Sequence, residues 1–596
     1  MTLPQRAARA LISSVVTYSS FVCSSMGGAA SSLFHRHHAE PSRVVEVKNG
    51  KIQGKTYKVA EKTTVDCFLG VPFGKPPVGE LRFKKPVPAD SWDGVLDCTK
   101  FGPRCPHKDE IFDHFPFQSL PSKDEDCLRL NIFAPTGDQC EAEDKAAGGR
   151  PVLIFVHGGG YAVHSSAHYG DVGIASTICK KGVIVVSVQY RLGFLGFLST
   201  DDEVCRGNFG LYDQTLALKW VKDNIGQFGG NSENITLCGQ SAGGASVDLL
   251  SLSPVSRDLF QKVIPMGGNA MCNFATNTAE HVRNECLRFA QEKGFKPDFN
   301  SSRLEQSKAM LEFYKHISHH DLQIGLFGIR GHRINKRKLD LTPVFGDEFL
   351  PKSIHELRKE APKKTCMVGA AEYEGLLFAA LTFSKPTVAH IERGIRRAFL
   401  LNHNDKNEEV DKVVAELLSF YVPEKKKRDH KHLAFAVARV MGDSLVTYGQ
   451  PTYVKEMTQN GHRVYFYSFD YARSARFGII HKFLPFTAAT HGTEMPYLLG
   501  KGVIANFHPD EEDHKMVDKF TSIFANFCRY GDPNGKPGQE QTWEEASAEN
   551  PHRYYSINLP ESGMKDNYQD KTSIMWNEAF AKMGTSARPF KAEAHL

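Results

Sequence analysis

Ile235-Thr236-Leu237-Cys238-Gly239-Gln240-Ser241-Ala242-Gly243-Gly244 is the stretch that decides how the rest of the chain is read. Residues 235–238 are a short apolar run of strand type, 239–243 a sharp turn of small residues, and 244–252 carry helical spacing. A serine hydroxyl is a weak nucleophile at neutral pH, so a fold that uses one must expose it, supply a base and stabilise the oxyanion. A GxSxG turn between strand and helix meets the first need by holding the serine at the tip of a strained bend. Small residues at 239 and 243 let neighbouring backbone come close, and the helix beneath the serine favours developing negative charge. Ser241 is therefore the candidate nucleophile.

Working outward, His157-Gly158-Gly159-Gly160-Tyr161 follows the apolar run 152–156. It matches the HGGG pattern whose backbone N–H groups supply part of an oxyanion hole. Gly159 and Gly160 are assigned to that hole, and Ala242, next after the serine, supplies the remaining N–H. Short β-rich runs at 44–47, 51–57 and 65–71 open the folded region. Strand-length runs at 128–134, 183–188, 262–266, 366–370 and 463–469 then alternate with helical stretches such as 211–225 and 515–530. Near-continuous apolar strands among helices predict an α/β protein with a large, mostly parallel twisted sheet, helices on both faces and long insertions. Joined to the serine turn and the triple glycine, this is the pattern of an α/β-hydrolase fold. Its triad runs in chain order serine, acid, histidine, which excludes His157 as the base. No internal repeat or linker divides the sequence, so 44–580 is expected as one catalytic domain, with a leader at 1–43 and a polar tail at 581–596.

Composition narrows the function classes. Of 596 residues, 41% are hydrophobic and 24% charged, as in an ordinary soluble globular protein. A net charge of +5 from 73 basic and 68 acidic residues gives no reason to expect nucleic acid. No apolar run reaches bilayer-spanning length. The thirteen cysteines include no CxxC pair, which argues against a zinc site, and neither metal nor cofactor is expected. The basic runs 331–338 and 424–428 read as solvated surface loops.

The first 39 residues hold no Asp or Glu and carry Arg6, Arg9 and Arg36. They fit a secretory signal broken by serines, an organelle transit peptide, or a disordered leader. They also fit an alternative start at Met26, where Met26-Gly27-Gly28-Ala29-Ala30-Ser31 has the form of an N-myristoylation signal; a lipid anchor would exist only in that case. The compartment, cytoplasmic or secretory and endomembrane lumen, is left open by these residues.

Several blocks recur in a familiar order. They are Phe68-Leu69-Gly70-Val71-Pro72-Phe73 with Pro76-Pro77-Val78-Gly79-Glu80-Leu81-Arg82-Phe83, Glu125-Asp126-Cys127-Leu128-Arg129-Leu130-Asn131, Gln189-Tyr190-Arg191-Leu192-Gly193-Phe194, and Asn208-Phe209-Gly210-Leu211-Tyr212-Asp213-Gln214. Between about Val44 and Trp576 the chain resembles a type-B carboxylesterase, the family that also holds the cholinesterases and the catalytically inactive neuroligins. The resemblance implies Glu374, in Glu372-Tyr373-Glu374-Gly375, as the acid and His491, in His491-Gly492-Thr493-Glu494, as the base. It further implies hydrolysis of small-molecule carboxylic esters through a Ser-His-Glu triad and a covalent acyl-enzyme, and a disulfide between Cys105 and Cys127.

Departures from the family pattern matter as well. Gln240 stands where glutamate is common, and Met266-Gly267-Gly268-Asn269 where Gln-Ser-Gly-Ser is common, so a serine supporting the triad is missing. The family's second disulfide has no counterpart around 286–312. Residues 106–126 hold no tryptophan of the kind that gives a cholinesterase its cation-binding face, which favours a general carboxylesterase. Two rivals are kept: a neuroligin-like binding protein, a branch that loses the serine and carries a membrane span, and a transacylase using the same triad. Of the two glycosylation sequons, Asn234-Ile235-Thr236 falls on an expected buried strand, and Asn300-Ser301-Ser302 does not. Acyl and alcohol preference is set by loops distant in sequence and is not written in it.

Overall fold

The computed structural model describes residues 39–109, 120–137, 141–326, 339–381, 386–399, 408–473, 484–502 and 507–583. Met26 and the rest of the leader to residue 38, the basic run 331–338 and the tail from 584 lie outside the described residues.

The apolar runs become strands of one twisted sheet. In chain order these are β1 (Glu40–Val47), β2 (Gly50–Ala60), β3 (Thr63–Pro72), β4 (Val95–Asp97), β5 (Arg129–Thr136), β6 (Arg150–Val156) and β7 (Ile184–Val188). They continue with β8 (Gly230–Gln240), β9 (Lys262–Met266), β10 (Thr365–Ala371), β11 (Arg463–Phe469), β12 (Tyr554–Ile557) and β13 (Gly563–Lys565). Their spatial order is β1-β2-β3-β5-β7-β6-β8-β9-β10-β11-β12-β13, with β4 beside β2. From β7 to β12 every neighbouring pair is parallel; β1, β2, β3 and β5 pair antiparallel at one end and β13 at the other. The fold is the mostly parallel α/β sheet with helices on both sides that the alternation predicted.

Successive strand residues point to opposite faces, and two cores result. Val152, Ile154, Val186, Leu237, Val263 and Val368 join one core under the helices Phe209–Asn224 and Ala242–Leu252. Leu153, Phe155, Val185, Ile264, Met367 and Tyr465 join the other under the helix Glu511–Tyr530, through Phe520, Phe524 and Phe527. Burial on both faces is why these strands read as unbroken apolar runs. A third cluster joins the helices Val388–Ala398, Glu408–Tyr421, His430–Gly442 and Thr572–Lys582 around Trp576, whose indole N–H donates to Tyr421. That helical layer was not anticipated, although Ile391, Ile395 and Ala398, and Val410, Val414, Leu417 and Tyr421, have helical spacing. The run 424–428 includes a short 3-10 turn, Glu424–Lys426, on the surface of this layer.

Chain order fixes where a site can form. After β6 the chain forms β7 on one side, then passes back over β6 to form β8 on the other. Connections leaving the carboxyl ends of β6 and β8 therefore diverge, and such a switch point is where open α/β sheets place their ligand crevice. The triple glycine follows β6, and Ser241 follows β8.

Cys105 and Cys127 form a disulfide; nine other cysteines among the described residues are free and buried. Asn234 has its amide held by Lys262 and the Arg529 carbonyl, and Thr236 is buried. No helix among the described residues is long and apolar enough to cross a membrane.

The helix behind Ser241 is pinned by a buried ion pair. Arg358, on the helix Ile354–Glu360, donates to both Asp248 oxygens at 3.0 and 3.1 Å, and Asp248 also accepts the Ala270 N–H at 2.9 Å. Removing one partner of such a pair strands the other charge in the core. Arg358→Ala is expected to destabilise the protein by about 3–5 kcal/mol, measured as a lowered urea midpoint; a midpoint equal to that of the unsubstituted protein would refute this account.

Candidate active site

Ser241 follows the last residue of β8 and precedes the helix Ala242–Leu252, with φ 60° and ψ −126°. A side-chain-bearing residue rarely adopts that conformation, and it persists only where surrounding structure imposes it. Here the Ser241 N–H donates to the Met266 carbonyl at 2.8 Å and its carbonyl accepts the Ala245 N–H at 3.0 Å. Glycine is required on both sides of the bend. A Cβ on Gly239 would lie 2.3 Å from the Gly243 oxygen, and one on Gly243 would lie 2.2 Å from the Val156 oxygen at the end of β6.

The loop after β6 rests directly against the serine: a Cβ on Gly158 would come within 2.9 Å of the Ser241 Cβ. Gly159 and Gly160 have φ of 104° and 60°, so the loop folds back sharply, and the Ala162 and Val163 N–H groups both donate to the Gly159 carbonyl. The N–H groups of Gly159, Gly160 and Ala242 find no acceptor among the described residues. These three backbone donors lie on the two segments that meet at the Ser241 bend, and the helix starting at Ala242 adds the positive end of its dipole there. His157 stacks on Tyr190 at 4.5 Å and donates through Nδ1–H to the Gly158 carbonyl at 2.8 Å. Burial pushes its pKa down to about 3, so it is neutral and holds the loop.

Glu374 lies in the turn between β10 and the helix Gly375–Leu381. It is fully buried: Oε1 accepts the Ala371 N–H at 2.8 Å, and Oε2 meets His491 Nδ1 at 2.5 Å. Gly375 is required because the helix His430–Gly442 presses on it, the Ala438 oxygen lying 2.2 Å from where a Cβ would stand. The unanticipated helical layer thus sets the position of this carboxylate. Thr490 ties the two turns together, accepting the Leu377 N–H at 2.9 Å and donating to the Glu374 carbonyl at 3.3 Å. Glu372, two residues earlier, faces elsewhere: burial and nearby Asp470 push it up to about 7.

Burial alone would lower the pKa of His491, but the charge and hydrogen bond of Glu374 outweigh it and leave the ring more basic than an ordinary histidine. Burial, followed by the charge of Glu374, pushes Glu494 up to about 8, so this carboxyl is protonated at neutral pH. The ring of Phe378 packs 5.0 Å from His491. His491 Nε2 faces the Gln240 amide nitrogen at 3.3 Å, a contact that no sequence pattern announced. Leu326 and Leu339 close over Gly160, giving the glycine loop an apolar wall. The missing serine leaves bare backbone at Gly267, where a Cβ would lie 3.2 Å from Glu374 Oε1.

Of groups with metal-ligating chemistry, the described residues bring together His281, Glu285 and Asp340, with ligand atoms within 4.8 Å of one another. Arg288 already pairs with Glu285 there.

A model of the carboxylesterase family matches residues 41–576. The chain belongs to the carboxylesterase family. It is 40% identical over 551 residues to Esterase cest-33 of Caenorhabditis elegans, covering 91% of this chain and 95% of the relative. It is 31% identical to Gut esterase 1 of the same organism, covering 91% and 93%, and 30% identical to Carboxylesterase 1E of Rattus norvegicus, covering 84% and 88%. This carboxylesterase-family chain is accordingly a carboxylic ester hydrolase.

The close approach of β6 to the serine turn is open to test. Gly243→Ala would force the Val156 carbonyl outward, at a cost of about 1–3 kcal/mol, and is expected to lower the thermal midpoint by several degrees. An unchanged midpoint would mean that the two segments are not held as described.

Proposed function

We propose that the protein is a serine carboxylesterase that works through a covalent acyl-enzyme, with Ser241 as nucleophile, His491 as general base and acid, and Glu374 as the carboxylate that orients the ring. The observation that carries this reading is the 2.5 Å contact between Glu374 Oε2 and His491 Nδ1 beside a serine held at φ 60°. A ring whose Nδ1 proton is held by a carboxylate presents a lone pair at Nε2, which is what a general base requires.

In the proposed reaction His491 Nε2 takes the Ser241 proton as Oγ bonds to the ester carbonyl carbon. The carbonyl oxygen becomes an oxyanion, which the N–H groups of Gly159, Gly160 and Ala242 bind. The carbon–oxygen bond to the alcohol then breaks, and His491 returns the proton to the leaving alcohol. Water repeats these steps on the acyl-enzyme and releases the acid. Glu374 remains ionised and stabilises the imidazolium. An alcohol or amine replacing water would turn the same cycle into acyl transfer, and no observation favours that variant.

Three measurements test the assignment. A fluorophosphonate probe is expected to phosphonylate Ser241, the Oγ–P bond forming as the P–F bond breaks and fluoride leaves, and Ser241→Ala to abolish labelling; an adduct elsewhere, or none, would overturn it. His491→Ala is expected to reduce kcat by about 10⁴-fold or more. Because Glu374 holds His491 above its ordinary value of 6.5, kcat/KM should fall as pH drops, with the midpoint of that acid limb above about 6.5. A midpoint well below it would contradict the proposed pairing.

A further inference from the structure

Gln240 is the residue in the serine turn that departs from the family pattern, and its side chain lies inside the site. The amide nitrogen stands 3.3 Å from His491 Nε2. Three glycines enclose it with bare backbone: a Cβ on Gly158 would come 3.1 Å from Gln240 Oε1, and Cβ atoms on Gly267 and Gly492 would come 3.5 and 3.7 Å from its Nε2. The donor end of the amide therefore faces the imidazole, and the acceptor end faces the glycine loop.

An amide nitrogen donates hydrogen bonds and does not accept them. Its contact with Nε2 requires a lone pair there, hence a neutral ring whose single proton sits on Nδ1. That is the proton Glu374 Oε2 receives at 2.5 Å. Among the described residues, the Ser241 hydroxyl makes no hydrogen bond to His491, and Nε2 is met by Gln240 instead.

We propose that Gln240 is a positioning residue for the hydrolytic reaction: its amide holds the resting His491 in the neutral Nδ1–H form with Nε2 on Gln240, and the incoming ester draws that nitrogen across to Ser241. This inference rests on the assignment of Ser241 and His491 under the proposed function.

The groups that face His491 are Glu374 from the turn after β10, Glu494 from its own loop, Phe378 from the helix after Glu374, the backbone of Gly267 after β9, and Gln240 from β8. Glu374 supplies the negative charge, because burial keeps Glu494 protonated. A neutral amide at 240 favours the uncharged ring by donating to it. A carboxylate at 240 would do the opposite, placing a second anion against Nε2 and favouring an imidazolium that cannot accept the serine proton.

The experiment is the pH dependence of fluorophosphonate labelling of Ser241 in the full chain, compared with Gln240→Glu and Gln240→Met. The glutamate variant is expected to raise the midpoint of the acid limb by about one pH unit or more. The methionine variant, which removes the donor without adding charge, is expected to raise it by a few tenths. Because a carboxylate beside the ring raises the midpoint whatever the amide does, the methionine variant is the one that reads the donor: a side chain that only filled space would leave its midpoint unmoved. A methionine-variant midpoint equal to wild type, with Ser241 still labelled, would overturn the role of Gln240 and leave the nucleophile assignment standing. Failure of the wild-type protein to label at Ser241 at any pH would instead overturn that assignment, and the role of Gln240 with it. If the glutamate variant does not fold, the methionine variant decides: an unshifted midpoint overturns the proposal.

Discussion

The end of β6 and the turn after β8 come so close that the Val156 carbonyl oxygen occupies the space a side chain on Gly243 would need, at 2.2 Å. This contact brings the glycine loop and the serine bend into one unit. The same closeness puts Gly158 against the Ser241 Cβ, so donors from one strand end and a hydroxyl from another share one small volume. Parallel pairing of β6 with β8, from Val152 with Ile235 to Val156 with Gly239, holds the two ends level. The strained serine backbone is tolerated because the sheet and the Arg358–Asp248 pair behind the helix leave it little else to adopt.

What could be read from residues alone follows from this arrangement. Strands buried on both faces are apolar without interruption, so β6, β7, β9, β10 and β11 were legible, and β9 and β11 fall at the expected residues. β8 is legible only at 235–238, because its first part, from Gly230, is interrupted in its pairing with β6 and carries polar side chains at 231–234. β12 and β13, four and three residues long, are too short to show a period. The helical layer around Trp576 has the right spacing in its sequence, yet its apolar positions are separated by charged ones and by the basic run 424–428, whose pattern is that of a solvated loop.

Within the site, legibility divided by distance along the chain. Glycines at 158–160, 239 and 243 announce themselves because close backbone contact leaves no other residue possible. The meeting of Gln240 with His491 could not be read, since it joins residues 251 positions apart and glutamine has no pattern of its own. What the sequence could show was the departure itself: an amide where a carboxylate is common, and bare backbone at Gly267 where a serine is common. The fold places these two departures side by side, the Gln240 amide nitrogen lying 3.5 Å from the position a Gly267 Cβ would take.

That adjacency changes the electrostatics in one direction. With an amide at 240 and Glu494 held protonated, the imidazole is paired with the single ionised carboxylate of Glu374, which contacts Nδ1 and leaves the Nε2 side neutral. In the proposed reaction the imidazolium and the oxyanion form together, and Nε2 lies toward Ser241. A carboxylate on that side would stabilise the ring cation but would also oppose negative charge growing on the carbonyl oxygen nearby. On the proposed reading, a neutral amide removes the opposition and leaves the backbone donors of Gly159, Gly160 and Ala242 to act on the oxyanion alone. In the proposed reaction, ring and oxyanion are then stabilised from opposite ends of the site, Glu374 serving the first and the glycine loop the second.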